Sequence, residues 1–165
     1  MKQINLTRGK VALVDDEDFE WLNQWKWKCS TFGYAVRLLP ADESGKRSNV
    51  FMHRLILGTP SGLYTDHINQ DKLDNRKANL RIATKSQNSA NSKVRVSGKT
   101  ASFKGVSLKQ RGVFEAQIKT GGKYVYLGRF DTEEDAALAY NDAAKKAFGE
   151  FASLNKIQSE LETDE

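Results

Sequence analysis

The chain has 165 residues, 39% hydrophobic and 28% charged, with a net charge of +5 and a single cysteine, Cys29. That length suits one average domain or two small ones, each with a modest core. One cysteine excludes an internal disulfide and a cysteine-rich zinc site; no apolar run is long enough to span a bilayer and Met1–Asn5 has no signal-peptide core, so an intracellular protein is expected.

In chain order, Val11–Val14 is a short apolar run, and Asp15 or Asp16 can cap a helix carrying Phe19, Leu22 and Trp25 at helical spacing. Trp25, Trp27 and Cys29 then alternate with lysines, as Tyr34, Val36 and Leu38 alternate with their neighbours. With Gly33 between them, the two runs read as a hairpin. The three tryptophans are expected in the core, where large aromatics bury the most area. Asp42–Lys46 reads as a turn. Tyr64–Ile68 and Leu80–Ala83 are strand candidates, and a short helix is expected to start at Thr84, with Gln87 completing a Thr-x-x-Gln capping box. Ser92–Ser102 is polar, basic and aperiodic, and reads as a linker of a kind that orders on DNA. Phe103–Leu108, Val113–Lys119 and Tyr124–Arg129 read as three strands turned by Gly112 and Gly121-Gly122. Thr132-Glu133-Glu134-Asp135 resembles a capping box, and Ala136, Tyr140, Ala143, Ala144 and Ala147 follow as a small-residue face that lets a helix lie close on a sheet.

Charge is segregated. Residues 92–129 carry nine basic side chains and one acid, whereas residues 130–165 carry three basic and ten acidic ones. Such a block suggests a polyanion-facing surface with a solvated back. The outward basic candidates are Lys104, Lys109, Arg111, Lys119, Lys123 and Arg129. Phe114 and Tyr126 can equally be packing residues.

Chemistry gathers before the linker. The two histidines are His53 and His67, and His67 follows Asp66; downstream lie Asn69, Asn75, Asn79 and Asn88. Phosphodiester hydrolysis fits such a set. Histidine titrates nearest neutral pH and suits a general base. A hard divalent cation takes oxygen ligands, which Asp and Asn supply, and a further Asn can hold the imidazole in one tautomer. A strand pair followed by a helix would bring Asp66 and Asn88 together. Adjacent strand residues point to opposite faces, so the strand must end or bulge at Asp66-His67. Asn69 and Asn75 read as turn residues.

Met52-His53-Arg54-Leu55, Asp66-His67-Ile68-Asn69, Leu73–Arg81 and Gln87-Asn88 resemble the His-Asn-His (HNH) endonucleases of phages and mobile introns. The resemblance implies a two-strand-plus-helix metal finger. It assigns His67 as general base, Asp66 and Asn88 as ligands of one Mg²⁺ or Mn²⁺, Asn79 as the residue that orients the base, and a structural role to His53. Lacking the zinc-binding cysteines of many relatives, the chain resembles the zinc-free branch. Phe103-Lys104-Gly105-Val106, Phe114–Lys119, Tyr126–Phe130 and Thr132–Ala144 resemble the plant ethylene-response-factor (apetala-two) DNA-binding domain, in which strand Arg and Trp residues touch DNA. Lys104 stands for an Arg there, and Phe114 and Tyr126 stand for Trp. Lys is a point donor, so bidentate guanine readout is not expected from it.

The expected fold is α+β. It comprises a nuclease domain over 1–91 with its ββα-metal core at about 62–91, a basic linker over 92–102, a three-stranded antiparallel sheet on one helix over 103–157, and an acidic tail over 158–165. The expected activity is metal-dependent endonucleolytic cleavage of double-stranded DNA by one copy of the chain, phage- or mobile-element-encoded, in a bacterial cytoplasm. Alternatives are a DNA-binding regulator with a vestigial nuclease motif, an RNA-directed nuclease or binder, and a structural protein.

Overall fold

The computed structural model describes residues 1–92 and 101–157. The expected acidic tail, and the expected linker apart from its end residues, lie outside the described residues. The described residues form ten strands and four α-helices in an α+β arrangement of small antiparallel sheets. The chain divides into two compact units, Met1–Lys85 and Ser86–Glu165.

In the first unit, β1 (Lys2–Asn5) pairs with β2 (Val11–Val14), followed by α1 (Asp16–Asn23). Asp15 occupies the N-cap position without a side-chain cap bond; its carboxylate instead accepts from the Lys77 N–H at 2.7 Å. The expected hairpin forms as β3 (Lys28–Cys29) and β4 (Ala35–Leu38), but only its last residues pair, and β5 (Asn49–Phe51) adds a third strand. Asp42 closes the expected turn, its Oδ1 accepting from the Ser44 and Lys46 N–H groups at 3.0 Å each. The tryptophans divide. Trp27 is buried and donates to the Leu22 carbonyl, Trp21 is partly buried, and Trp25 is exposed beyond the end of α1 under the Arg37 guanidinium. The core joins Ile4, Leu6, Ala12, Val14, Leu22, Trp27, Ala35 and Met52, the last at the start of α2 (Met52–Leu57). β6 (Tyr64–His67) and β7 (Leu80–Ala83) pair antiparallel with regular register, and α3 (Lys85–Ala90) follows in sequence across the division between the units.

The second unit carries the sheet β10-β9-β8, formed by β8 (Val106–Leu108), β9 (Phe114–Thr120) and β10 (Lys123–Phe130). Gly121 and Gly122 both have positive φ, at 57° and 80°, as a two-residue hairpin turn of type I′ requires. α4 (Glu133–Phe148) starts at the expected cap: the Asp135 N–H donates to Thr132 Oγ1 at 3.1 Å, and that hydroxyl donates to the Asp135 carboxylate at 2.6 Å. The buried face of α4 is Ala136, Ala137, Tyr140, Asn141 and Ala144; Ala137 is buried and Ala147 is exposed, so the face is rotated from the one that the alanine spacing suggests. Small residues let α4 lie on Ala116 and Ile118 of β9. The closest approach is at Gly105, where a Cβ would run into the Tyr140 ring, so the chain passes there only as glycine.

Candidate functional site

Asp66 and His67 are the last two residues of β6, in regular register with Arg81 and Leu80 of β7. Asp66 lies opposite Arg81 in the register, and Arg81 Nε donates to Asp66 Oδ2 at 2.8 Å. Both side chains are largely buried, 5% and 13% exposed, so this pair is screened far less than a surface ion pair. His67 is the last residue of β6, and the charge of Asp66 acts on it. Its ring centroid lies 5.0 Å from that of His53, edge to face, and 6.0 Å from that of Tyr34. His53 in turn packs on Tyr34 and on Phe51, at 5.1 and 5.5 Å. β6 ends at His67 with both residues in regular register and no bulge.

The loop between β6 and β7 is held by its polar side chains. Asn79 Oδ1 accepts from the Asn69 N–H at 2.9 Å, and Asn79 Nδ2 donates to the Asp74 carbonyl at 2.8 Å. The Asp74 carboxylate accepts from Arg76 Nε and Nη2 at 2.7 and 2.6 Å and from Asn69 Nδ2 at 2.8 Å. The far side of the loop docks on β2: the Leu13 N–H donates to the Leu73 carbonyl and the Asn75 N–H to the Leu13 carbonyl, each at 2.8 Å. Docking buries Asn75 to 1% exposure and places its Oδ1 3.1 Å from His67 Nε2. Among the described residues, a side chain that bonds the candidate base is that of Asn75, expected only as a turn residue. Asn79, expected to orient the base, shapes the loop. Nothing local separates these asparagines, because Asn is a default turn residue and the decisive approach comes from a strand much earlier in the chain.

Burial dominates the electrostatics. It pushes His53 down to about 3, helped by the charges of His67 and Arg54. Its Nδ1 has no hydrogen-bond partner among the described residues. His67 is also lowered by burial, opposed by its bond to Asn75 and by the charges of Asp66, Asp71 and Asp74. A lowered value keeps the imidazole neutral near pH 7, as a base requires, while the carboxylates preserve part of its basicity. Burial, and secondarily the charge of Asp66, raises Tyr34. Asn88 is half-buried on α3. Among the described residues no group of three or more His, Cys, Asp or Glu side chains is assembled to hold a metal.

In the second unit, cross-strand register defines the face turned away from α4: Glu115, Gln117 and Lys119 on β9 stand opposite Arg129, Tyr126 and Tyr124 on β10. Tyr124 and Tyr126 are 67% and 60% exposed, so Tyr126 is no packing residue, whereas Phe114 is half-buried beside Phe130 and Leu108. Lys119 Nζ lies 5.2 Å from the centre of the Tyr124 ring. Lys109, Arg111, Lys119, Lys123 and Arg129 are exposed, as expected. Lys109 and Arg129 share Glu115, at 3.3 and 3.0 Å, which holds that carboxyl below its usual range. Lys104 differs from its expected outward placement. Its ammonium donates to the Ala90 and Ser92 carbonyls at 2.5 and 2.9 Å, closing the C-terminal end of α3, and burial pushes it down to about 8. A helix end offers unpaired carbonyls, and a cation there is favoured.

Comparison with known proteins finds two families along the chain. A family model described as HNH endonuclease matches residues 50–90, and one described as AP2 domain matches residues 101–150. The chain is 34% identical over 152 residues to an uncharacterized HNH endonuclease of Acanthamoeba polyphaga mimivirus, a match covering 91% of this chain and 77% of that protein. It is 40% identical over 62 residues to dehydration-responsive element-binding protein 2D of Arabidopsis thaliana, covering 36% of this chain and 30% of that protein. It is 45% identical over 58 residues to APETALA2-like protein 2 of Oryza sativa subsp. indica, covering 34% of this chain and 13% of that protein.

Proposed function

The chain belongs to the HNH endonucleases, DNA-cleaving hydrolases, and joins that domain to an AP2-type DNA-binding domain; from this premise we propose that it cuts double-stranded DNA at selected sites with His67 as the general base. The observation that carries this reading is the placement of His67: buried at the end of a strand beside Asp66, kept neutral by desolvation, its ring fixed on three sides by Tyr34, His53 and Asn75. A positioned neutral imidazole takes the proton of an attacking water.

Asp66 and Asn88 are the proposed ligands of one divalent ion, Mg²⁺ or Mn²⁺. The donor set fits such an ion: hard oxygen donors in small number, with water and phosphate oxygens left to complete the shell, and no cysteine beyond Cys29 to suggest zinc. When bound, the ion supplies Lewis-acid stabilisation of charge on the scissile phosphate and the leaving oxygen. Arg81 holds the Asp66 carboxylate in a fixed orientation from across the strand pair. Lys109, Arg111, Lys119, Lys123 and Arg129 meet phosphates, and the exposed Tyr124, Tyr126 and Gln117 meet bases, because a strand ribbon fits the major groove. Lys104 is left out of this set, since its ammonium is engaged on α3.

The test is cleavage of end-labelled duplexes by the full chain with Mg²⁺ and with excess chelator. Discrete, metal-dependent products are expected, and Asp66→Ala is expected to need more metal for the same rate. Undiminished cleavage in chelator would overturn the metal assignment, and binding with no cleavage under any metal would favour a regulator.

A further inference from the structure

We propose that Phe32 is a wedge for duplex DNA: its ring enters the base stack beside the phosphate that His67 serves and unstacks one step there. This rests on the reading of the chain as a nuclease of duplex DNA.

Phe32 sits at the tip between β3 and β4, and that tip is a closed turn. The Ser30 N–H donates to the Tyr34 carbonyl at 2.8 Å, the Gly33 N–H to the Ser30 carbonyl at 3.0 Å, and the Tyr34 N–H to Ser30 Oγ at 3.0 Å. Lys72, from the loop between β6 and β7, donates from its ammonium to the Phe32 carbonyl at 2.9 Å and lies 4.7 Å from the centre of the Tyr34 ring. The backbone of Phe32 is thus fixed, yet its ring is 76% exposed, the most exposed large apolar side chain among the described residues. The Tyr34 ring lies 6.0 Å from that of His67, so a single ring separates this turn from the candidate base. A phenyl ring offers no hydrogen bond to a phosphate or a base edge; what it gives a duplex is its face, stacked on or between bases. Burial between bases also removes its apolar surface from water, and ordering costs little because the turn is already set. The surroundings suit a polyanion. Residues 24–34 hold two lysines, Lys26 and Lys28, and no acid, and both lysines are exposed, as is Lys72. Such a segment repels a second copy of itself and attracts phosphates, which points the ring to nucleic acid.

The experiment measures binding of the full-length chain to a fluorescent duplex and to the same duplex with one central mismatched pair, both in chelator so that no strand is cut. A mismatched step has already lost stacking, so a wedge enters it at less cost. Wild type is expected to favour the mismatched probe by about 10-fold. Phe32→Ala is expected to bind the paired duplex about 10-fold more weakly and to show no such preference. Phe32→Trp keeps a stacking ring and should keep both properties, whereas Phe32→Lys adds charge without a wedge and should bind the two probes alike. The Tm of Phe32→Ala should match wild type, because an exposed ring carries little of the fold. A wild type that treats the two probes alike would overturn the wedge, as would a Phe32→Ala chain with the wild-type preference. A wild-type dimer that Phe32→Ala turns into a monomer, with no change in preference, would assign the ring to a second copy instead. If metal-dependent cleavage is found and the preference is not, only this inference falls. If no duplex is cut with any metal while the Phe32-dependent preference stands, the nuclease reading falls and the ring remains a wedge.

Discussion

The first unit encloses His67 and Asp66, proposed for catalysis, whereas the second turns outward the side chains proposed to meet DNA. His67, Asp66 and Asn75 are each 5% exposed or less, packed among His53, Tyr34 and Arg81, in a unit whose apolar core includes Trp27 and Met52. In the second unit the core is slight, built on Ile118, Tyr140 and Ala144, while Tyr124, Tyr126, Gln117 and the basic side chains stand in solvent on the opposite face of the sheet. The contrast suits what each proposed task needs. Proton transfer needs a group whose tautomer, orientation and basicity are fixed, and desolvation with few, well-placed partners fixes them. Binding a polyanion needs charges that act over distance and release counterions, which only exposed side chains do. Substitutions in the first unit should therefore change rate constants and pH behaviour, and those on the sheet should change affinity and its salt dependence.

The largest expected effect is that of His67→Ala: single-turnover cleavage should fall by about 10²–10⁴-fold while duplex affinity, read by fluorescence anisotropy, stays near wild type. An equal loss of affinity would blur the contrast between enclosed chemistry and exposed binding. Next comes the combined Lys109→Ala, Lys119→Ala and Lys123→Ala variant. Its plot of log affinity against log salt should flatten by about 0.9 for each phosphate that the variant no longer neutralises, with cleavage at saturating protein little changed. An unaltered slope would show the basic sheet to be a solvated surface.

A third measurement sharpens the comparison through pH. His53 is pushed from 6.5 to about 3 in the folded protein, so between those values the unfolded chain binds a proton that the folded chain refuses. Stability of the first unit should then rise with pH across that window and be lost as pH falls below about 6.5, by at most about 1.4 kcal/mol per pH unit for this one group. His67 is shifted in the same direction and adds to the effect. All three tryptophans lie in the first unit, so tryptophan fluorescence follows its melting alone. Between pH 6.5 and 5 the Tm of wild type should drop more than that of His53→Phe; parallel curves would mean that His53 takes up its proton without cost. The smallest effect is expected from Lys104→Met. It should cost the second unit about 1 kcal/mol by removing the bonds to Ala90 and Ser92 and leave the salt slope unchanged. A flattened slope would return Lys104 to the DNA-facing set.

Much of this was legible in the residues. The strands over Tyr64–His67 and Leu80–Ala83, the three strands of the sheet and the Thr132 cap all follow from local pattern, because alternation, turn glycines and cap hydroxyls act within a few residues of where they stand. Trp25 escaped because α1 stops at Asn23, before helical spacing would bury that ring. Tyr126 escaped because an aromatic in a strand fits either face, and cross-strand register with Gln117 set which one.

The sequence by itself determined the chemistry carried by the chain: an Asp-His pair followed by spaced asparagines, a basic sheet, and the element types that bear them. Tertiary structure decided which side chains meet. A loop rich in Asn and Asp has no period from which burial can be read. Docking of Leu73–Asn75 on Leu13 placed Asn75, and not Asn79, against His67. Lys104 likewise looks like any basic strand residue until the carbonyls at the end of α3, distant in sequence, come within reach of its ammonium. Local propensity acts through neighbours along the chain, whereas the partner of a buried polar group is whatever long-range packing brings within hydrogen-bond distance, and a buried group without one is costly.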